Sequence, residues 1–146
     1  MEIIKDESQY NMVDWWKKVF IENYANFEGR ARRSEYWYYV LFNFIIVFGT
    51  MILGGLLALI IHPATFFIFY ILLVLASIAN FIPNLAVIVR RLHDTGKSGW
   101  YYLIGIIPLV GPILLLVALA TEGDRGTNEY GSDPKTSSNP TSNQSW

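Results

Sequence analysis

The sequence predicts an all-α integral membrane protein: three transmembrane helices preceded by an amphipathic interfacial helix and followed by a disordered C-terminal tail. Three observations predict it. Residues 36–89 run 54 positions without an Asp, Glu, Lys or Arg, and residues 98–121 run another 24. About 20 apolar residues in a helix cross the roughly 30 Å hydrocarbon core of a bilayer, so the first stretch holds two spans and the second holds one. Nine of the eleven Lys and Arg residues precede Ser98 and cluster beside these stretches, the placement of basic anchors at span ends.

The 146 residues fit one domain, and their apolar excess is concentrated rather than spread, which separates a membrane chain from a soluble one. There is no Cys, which excludes disulfides, thiolate chemistry and Cys-based zinc sites. No apolar core of signal-peptide type lies near the start, so the first span is expected to act as the insertion signal. Residues 1–14 are polar and expected to be flexible.

Asp14 is a candidate N-cap for a helix over residues 15–27. In it Trp16, Phe20, Ile21, Tyr24 and Phe27 share an apolar side, while Lys17, Lys18 and Glu22 lie elsewhere. Beside a membrane span such a helix lies in the interface, with its aromatic rings at headgroup depth. Gly29 ends it. The first span covers about residues 38–61 behind a Tyr36, Trp37, Tyr38, Tyr39 belt. His62-Pro63 makes a turn, since proline disfavours helical geometry in the residue before it. The second span covers about 66–89, and a polar loop leads to Trp100, Tyr101, Tyr102 and a third span over about 100–120. A tail loop over 121–134 has Gly and Asx turn chemistry. Residues 135–146 are low in complexity and expected to be disordered.

Pro108, Gly111 and Pro112 interrupt the third span. The prolines cannot donate to Ile104 and Pro108, so a bend follows. Either the span is one kinked helix, the favoured expectation, or it is a re-entrant hairpin whose halves are short. With the kinked helix, the Lys/Arg distribution places the N-terminus and the Arg90 loop in the cytoplasm and the C-terminus outside.

The candidate functional residues form two clusters at the same end of the first hairpin. One is Arg30, Arg32, Arg33 and Glu35; the other is Arg90, Arg91, His93, Asp94, Lys97 and Ser98. Asp94 lies at helical pairing distance from both Arg90 and Arg91. Arginines gathered there would bind anionic lipid headgroups, since guanidinium takes phosphate bidentately. In this reading Arg30, Arg32, Arg33, Arg90, Arg91 and Lys97 are the anion-binding candidates. Glu35, His93 and Asp94 support them, and Trp100 sets depth. His93 and Asp94 are adjacent in sequence and do not face each other on a helix, which counts against an acid–base dyad. No catalytic residue, metal or cofactor is expected. Within the spans Asn43, Thr50, Ser77, Asn80 and Asn84 suit interhelical hydrogen bonds. The Asn84 amide is a candidate to bridge the Ala79 carbonyl that Pro83 frees. No ionisable residue marks a transport path, and no internal repeat is evident.

Three motifs carry a family likeness: Phe27-x-Gly29-Arg30-Ala31-Arg32-Arg33-Ser34-Glu35-Tyr36-Trp37, then Pro83-Asn84-Leu85-Ala86-Val87-x-Val89-Arg90-Arg91-Leu92-His93-Asp94-Thr95-Gly96-Lys97-Ser98-Gly99-Trp100, then Gly123-x-x-Gly126-x-Asn128-x-Tyr130-Gly131-x-Asp133-Pro134. They fall in order and resemble the YhaH-like proteins of bacterial inner membranes, a domain of unknown function. The resemblance implies a cytoplasmic-membrane location and a small helical bundle, and it implies no reaction, substrate or cofactor. The expected role is a non-enzymatic interaction or regulatory module. Its partners would be the bilayer, anionic phospholipid, and a membrane protein or a second copy of the chain, with no nucleic acid. A subunit of an oligomeric transporter or channel, and an enzyme acting on a phosphorylated lipid headgroup through His93, are the rival readings.

Overall fold

The computed structural model of the chain describes residues 7–136. The expectations for residues 1–6 and 137–146 lie outside the described residues. After a 3-10 turn at Glu7–Gln9, helix α1 spans Met12–Lys17 and continues as a wider π-type turn over Lys18–Glu22. Helix α2 spans Arg33–Ile60 and α3 spans Ala64–Asp94. A 3-10 segment over Gly99–Ile106 and helix α4, Val110–Ala120, complete the elements.

Several local expectations are corrected. The N-cap of α1 is Asn11, whose side chain accepts from the Asp14 backbone while Asp14 returns a carboxylate to the Asn11 N–H. Asp14 is therefore the inner member of a reciprocal capping box. The helix ends at Glu22, well before residue 27, and its buried side carries Trp15 and Val19 rather than Ile21, which is 63% exposed. Residue 7 is not loose either: the Glu7 carboxylate meets Lys18 Nζ at 2.5 Å and Arg32 Nη2 at 3.1 Å.

The 28 residues of α2 and 31 of α3 are about 42 and 46 Å long at 1.5 Å per residue, longer than the hydrocarbon core. Both are apolar enough to cross a membrane, and their apolar windows are scarcely buried at all. Large side chains such as Phe48, Ile52, Leu59, Phe67 and Ile78 face outward, an arrangement water does not tolerate and lipid does. The two helices approach closely at Gly54, where a Cβ would lie 2.8 Å from Phe69 Cβ.

The buried core sits entirely at one end of this hairpin. Val19, Ala31, Tyr36 and Tyr39 pack there against Val87, Ile88, Leu92, Ala118 and Leu119. Pro83 lies inside α3 and removes the donor to the Ala79 carbonyl. The Tyr24 hydroxyl donates to that carbonyl at 2.8 Å, so Tyr24, not the Asn84 amide, fills the gap.

The stretch over residues 100–120 is not one kinked helix. The 3-10 segment and α4 are each about 16 Å long, half a bilayer. The chain reverses between them at Leu109, a non-glycine residue at φ 65°. Gly111 then packs against the Ile104 carbonyl so closely that a Cβ there would collide with it. The two halves lie side by side, and α4 returns the chain to the end it left. Residues 121–136 therefore sit at the same end as α1, where the tail loop packs beside Arg30 and Asp94; the C-terminus itself lies outside the described residues.

Candidate functional site

The end of α3 organises the site. Gly96 at φ +65° closes the helix, with Lys97 N–H donating to Leu92 O and Gly96 N–H to His93 O, a Schellman cap. The tail loop adds two bonds to this end. Asp124 N–H donates to Asp94 O at 2.7 Å, and Asn128 Nδ2 donates to His93 O at 2.9 Å. The tail loop is held in turn by Asn128 and Gly131, whose backbones exchange two bonds of 3.1 Å.

Around this cap the arginines are gathered, as their sequence clustering suggests, but most are turned inward. Arg30 Nε donates to Asp94 Oδ1 at 3.0 Å, and its other nitrogens donate to the carbonyls of Asp124, Gly126 and Gly131. Arg91 is fully buried. It pairs with Asp94 Oδ2 and donates to Leu119 O at 3.0 Å and to Thr121 O, carbonyls at the end of α4. Arg90 meets Glu35 Oε1 at 2.5 Å and donates through Nε to Asn26 O at 3.1 Å. Its Nη2 is buried without a partner among the described residues. Glu35 Oε2 also meets Lys18 Nζ at 3.2 Å, which links the chain Arg90–Glu35–Lys18–Glu7–Arg32. Arg32 further donates to Pro134 O at 2.9 Å.

The electrostatics follow from burial against pairing. Burial pushes the Asp94 carboxyl above its ordinary value, while the Arg91 and Arg30 guanidiniums pull against that push. Burial lowers Arg91, with Asp94 opposing. Burial alone would lower the Lys18 ammonium, but Glu35 and Glu7 outweigh it and hold the group above its usual range. Breaking a buried pair of this kind costs about 3–5 kcal/mol, because it strands a charge.

This arrangement corrects the expected anion site. Arg30, Arg90 and Arg91 are occupied by the chain's own carboxylates and carbonyls and have no face to offer a phosphate. Asp94 pairs with Arg91 and Arg30, and Arg90 pairs with Glu35 instead. Lys97 is half-buried, donates to Thr95 O at 3.4 Å and lies over the Tyr101 ring. Only Arg33 of the five motif arginines is exposed. It lines an open groove of about 320 Å³ with Ser34, Trp37, Tyr38, Leu41 and Ala120. Trp100 is 80% exposed.

His93 is placed by three elements. Its Nδ1 lies 3.1 Å from Gly29 O. A carbonyl only accepts, so Nδ1 carries the proton. The ring stacks on Tyr130 with centroids 3.9 Å apart and planes within 2°. Burial lowers the imidazole's affinity for a second proton, with the Gly29 bond and Glu129 opposing. The Tyr130 contact has no signal in the sequence, since 37 positions of chain separate the two rings.

Comparison with known proteins agrees with a membrane location. The family model described as a protein of unknown function (DUF805) matches residues 24–132. The inner membrane protein YhaI of Escherichia coli K12 is 42% identical over 127 residues, covering 87% of this chain and all of that relative. The inner membrane protein YhaH of the same organism is 40% identical over 123 residues, covering 84% of this chain and 98% of the relative. No solved structure matches. With a family match across most of its length, inner-membrane relatives and long apolar helices that are scarcely buried, this chain is a membrane protein belonging to the DUF805 family.

Proposed function

We propose that the protein is a non-enzymatic interaction module of the inner membrane, with two spanning helices and one re-entrant pair. Its polar end lies in the cytoplasm and holds anionic lipid through Arg33. The observation that carries this reading is the contrast among the arginines. Four are engaged by carboxylates or carbonyls of the chain, whereas Arg33 is exposed at the polar end of an apolar groove. A lipid phosphate at Arg33 and Ser34 would leave its acyl chain against Trp37 and Leu41, which matches charge to phosphate and hydrocarbon to hydrocarbon. The buried ionic network is then scaffold, holding α1, the tail loop and the re-entrant pair as one rigid base.

The test is Arg33→Gln with native mass spectrometry in mixed detergent. Retained phosphatidylglycerol should fall several-fold while the melting temperature stays put. Equal retention by the variant and the parent would remove Arg33 from the lipid site. For orientation, fusions of a cytoplasmically fluorescent reporter and a periplasmically active one to the C-terminus should give fluorescence and no periplasmic activity.

A further inference from the structure

A groove that shares no residue with the Arg33 groove, and is larger at about 560 Å³, is lined by the end of α3 and the start of the 3-10 segment and falls within the range of small-molecule pockets. Its apolar walls include Leu85, Val89 and Leu103, and the lining residues with polar side-chain groups include His93, Ser98 and Tyr102. Leu85 and Val89 belong to the last membrane-embedded turns of α3, and His93 follows one turn later. The groove therefore runs from hydrocarbon depth to headgroup depth.

The chemistry of its polar end is specific. His93 Nδ1 is committed to Gly29 O, so in the neutral ring Nε2 holds a lone pair and accepts. Among the described residues nothing donates to it. Tyr130 stacks on the half-buried ring and, with the Gly29 bond, fixes its orientation. The Glu129 carboxylate is within electrostatic reach of the ring and favours a positive charge there. An acceptor beside a carboxylate favours a cationic donor over an anionic headgroup. Apolar walls select an acyl chain.

We propose that this groove binds a zwitterionic phospholipid with a primary ammonium, whose N–H donates to His93 Nε2 while an acyl chain lies along Leu85, Val89 and Leu103. A trimethylated choline headgroup has the same charge and no N–H, so it cannot make that bond. The site is separate from Arg33 and stands or falls without it.

The experiment uses the full chain labelled with ¹⁵N-histidine in detergent micelles, titrated with phosphatidylethanolamine, phosphatidylcholine or phosphatidylglycerol of identical acyl chains. Phosphatidylethanolamine alone should shift the His93 Nε2 resonance. In native mass spectrometry it should be retained roughly tenfold or more over phosphatidylcholine, the ratio for one charge-assisted hydrogen bond. His93→Phe keeps a ring on Tyr130 and should bring that ratio to about one. An Nε2 resonance indifferent to phosphatidylethanolamine overturns the proposal, as does equal retention of the ethanolamine and choline lipids by the parent protein. Displacement of the ethanolamine lipid by phosphatidylglycerol would overturn it as well. The first readout needs no variant, so a misfolded His93→Phe leaves the test intact.

Discussion

Arg91→Met isolates what the buried network does. Methionine keeps most of the stem volume and removes the guanidinium. Asp94 keeps Arg30 at 3.0 Å, so no carboxylate is orphaned. The loss falls on the carbonyls of Leu119, Thr121 and Ala31, which Arg91 serves from the base of α3. A buried carbonyl without a donor costs about 1–3 kcal/mol, and the Ala31 contact at 3.5 Å is at the weak end. Two strong losses and one weak one come to about 3–4 kcal/mol. The two strong losses bear on the attachment of α4 to α3, and the weak one on the segment before α2. At 1.4 kcal/mol per decade, amide hydrogen exchange at residues 118–124 should quicken by about 10²–10³-fold. Amides in the middle of α2 should keep their protection. Arg91→Lys should fall between, since one ammonium cannot reach both α4 carbonyls and Asp94 in the fork geometry of a guanidinium. Hydrogen-exchange mass spectrometry in micelles makes the measurement. Protection at 118–124 within threefold of the parent in Arg91→Met would refute the clamp.

Three further outcomes are expected. Tyr24→Phe should cost about 1–2 kcal/mol in a detergent unfolding titration, because the Ala79 carbonyl loses its donor; Pro83→Ala restores a backbone N–H, and in that background the cost should vanish. Gly111→Ala places a methyl on the Ile104 carbonyl and should lower stability by about 1–3 kcal/mol, and an unchanged unfolding curve would deny the close approach. His93 has its folded value pushed below 6.5 by burial, so its stabilising effect is complete above pH 6.5 and lost as the pH falls through the lower folded value. Ring ¹⁵N shifts followed from pH 8 to pH 4.5 should show a midpoint under 6.5, and a midpoint above 6.5 would contradict the neutral, half-buried ring.

The long helices were legible because uncharged length has one physical meaning, and α2 and α3 read directly from it. The third apolar stretch was not, because Pro108, Gly111 and Pro112 loosen a helix equally well for a kink and for a reversal. What decides between them is tertiary: Gly111 lying on Ile104, and Arg91 holding the far end of α4. The orphan carbonyl at Ala79 was visible from Pro83, but its donor, Tyr24, comes from another segment and no local pattern announces it. The arginines were misread for a related reason. A basic cluster beside a span fits exposed anchors and buried staples alike. The hint was present in Glu35 and Asp94, one carboxylate inside each arginine motif, each with too many cations near it to be idle. The N-cap was expected at Asp14, three positions late, because Asn11 and Asp14 are both good caps.

The reversal at Leu109 bears on how the chain enters the bilayer. On the topology proposed above, the turn-back of the last apolar stretch keeps residues 7 and 136 on one face of the bilayer, the face where synthesis delivers the chain. The deepest point reached by the crossing pair is His62-Pro63, which bears no formal charge. No hydrated ion has to traverse hydrocarbon during biogenesis, and the two long helices can slip in together as a loop. The salt-bridged base can then assemble in water, after insertion is over.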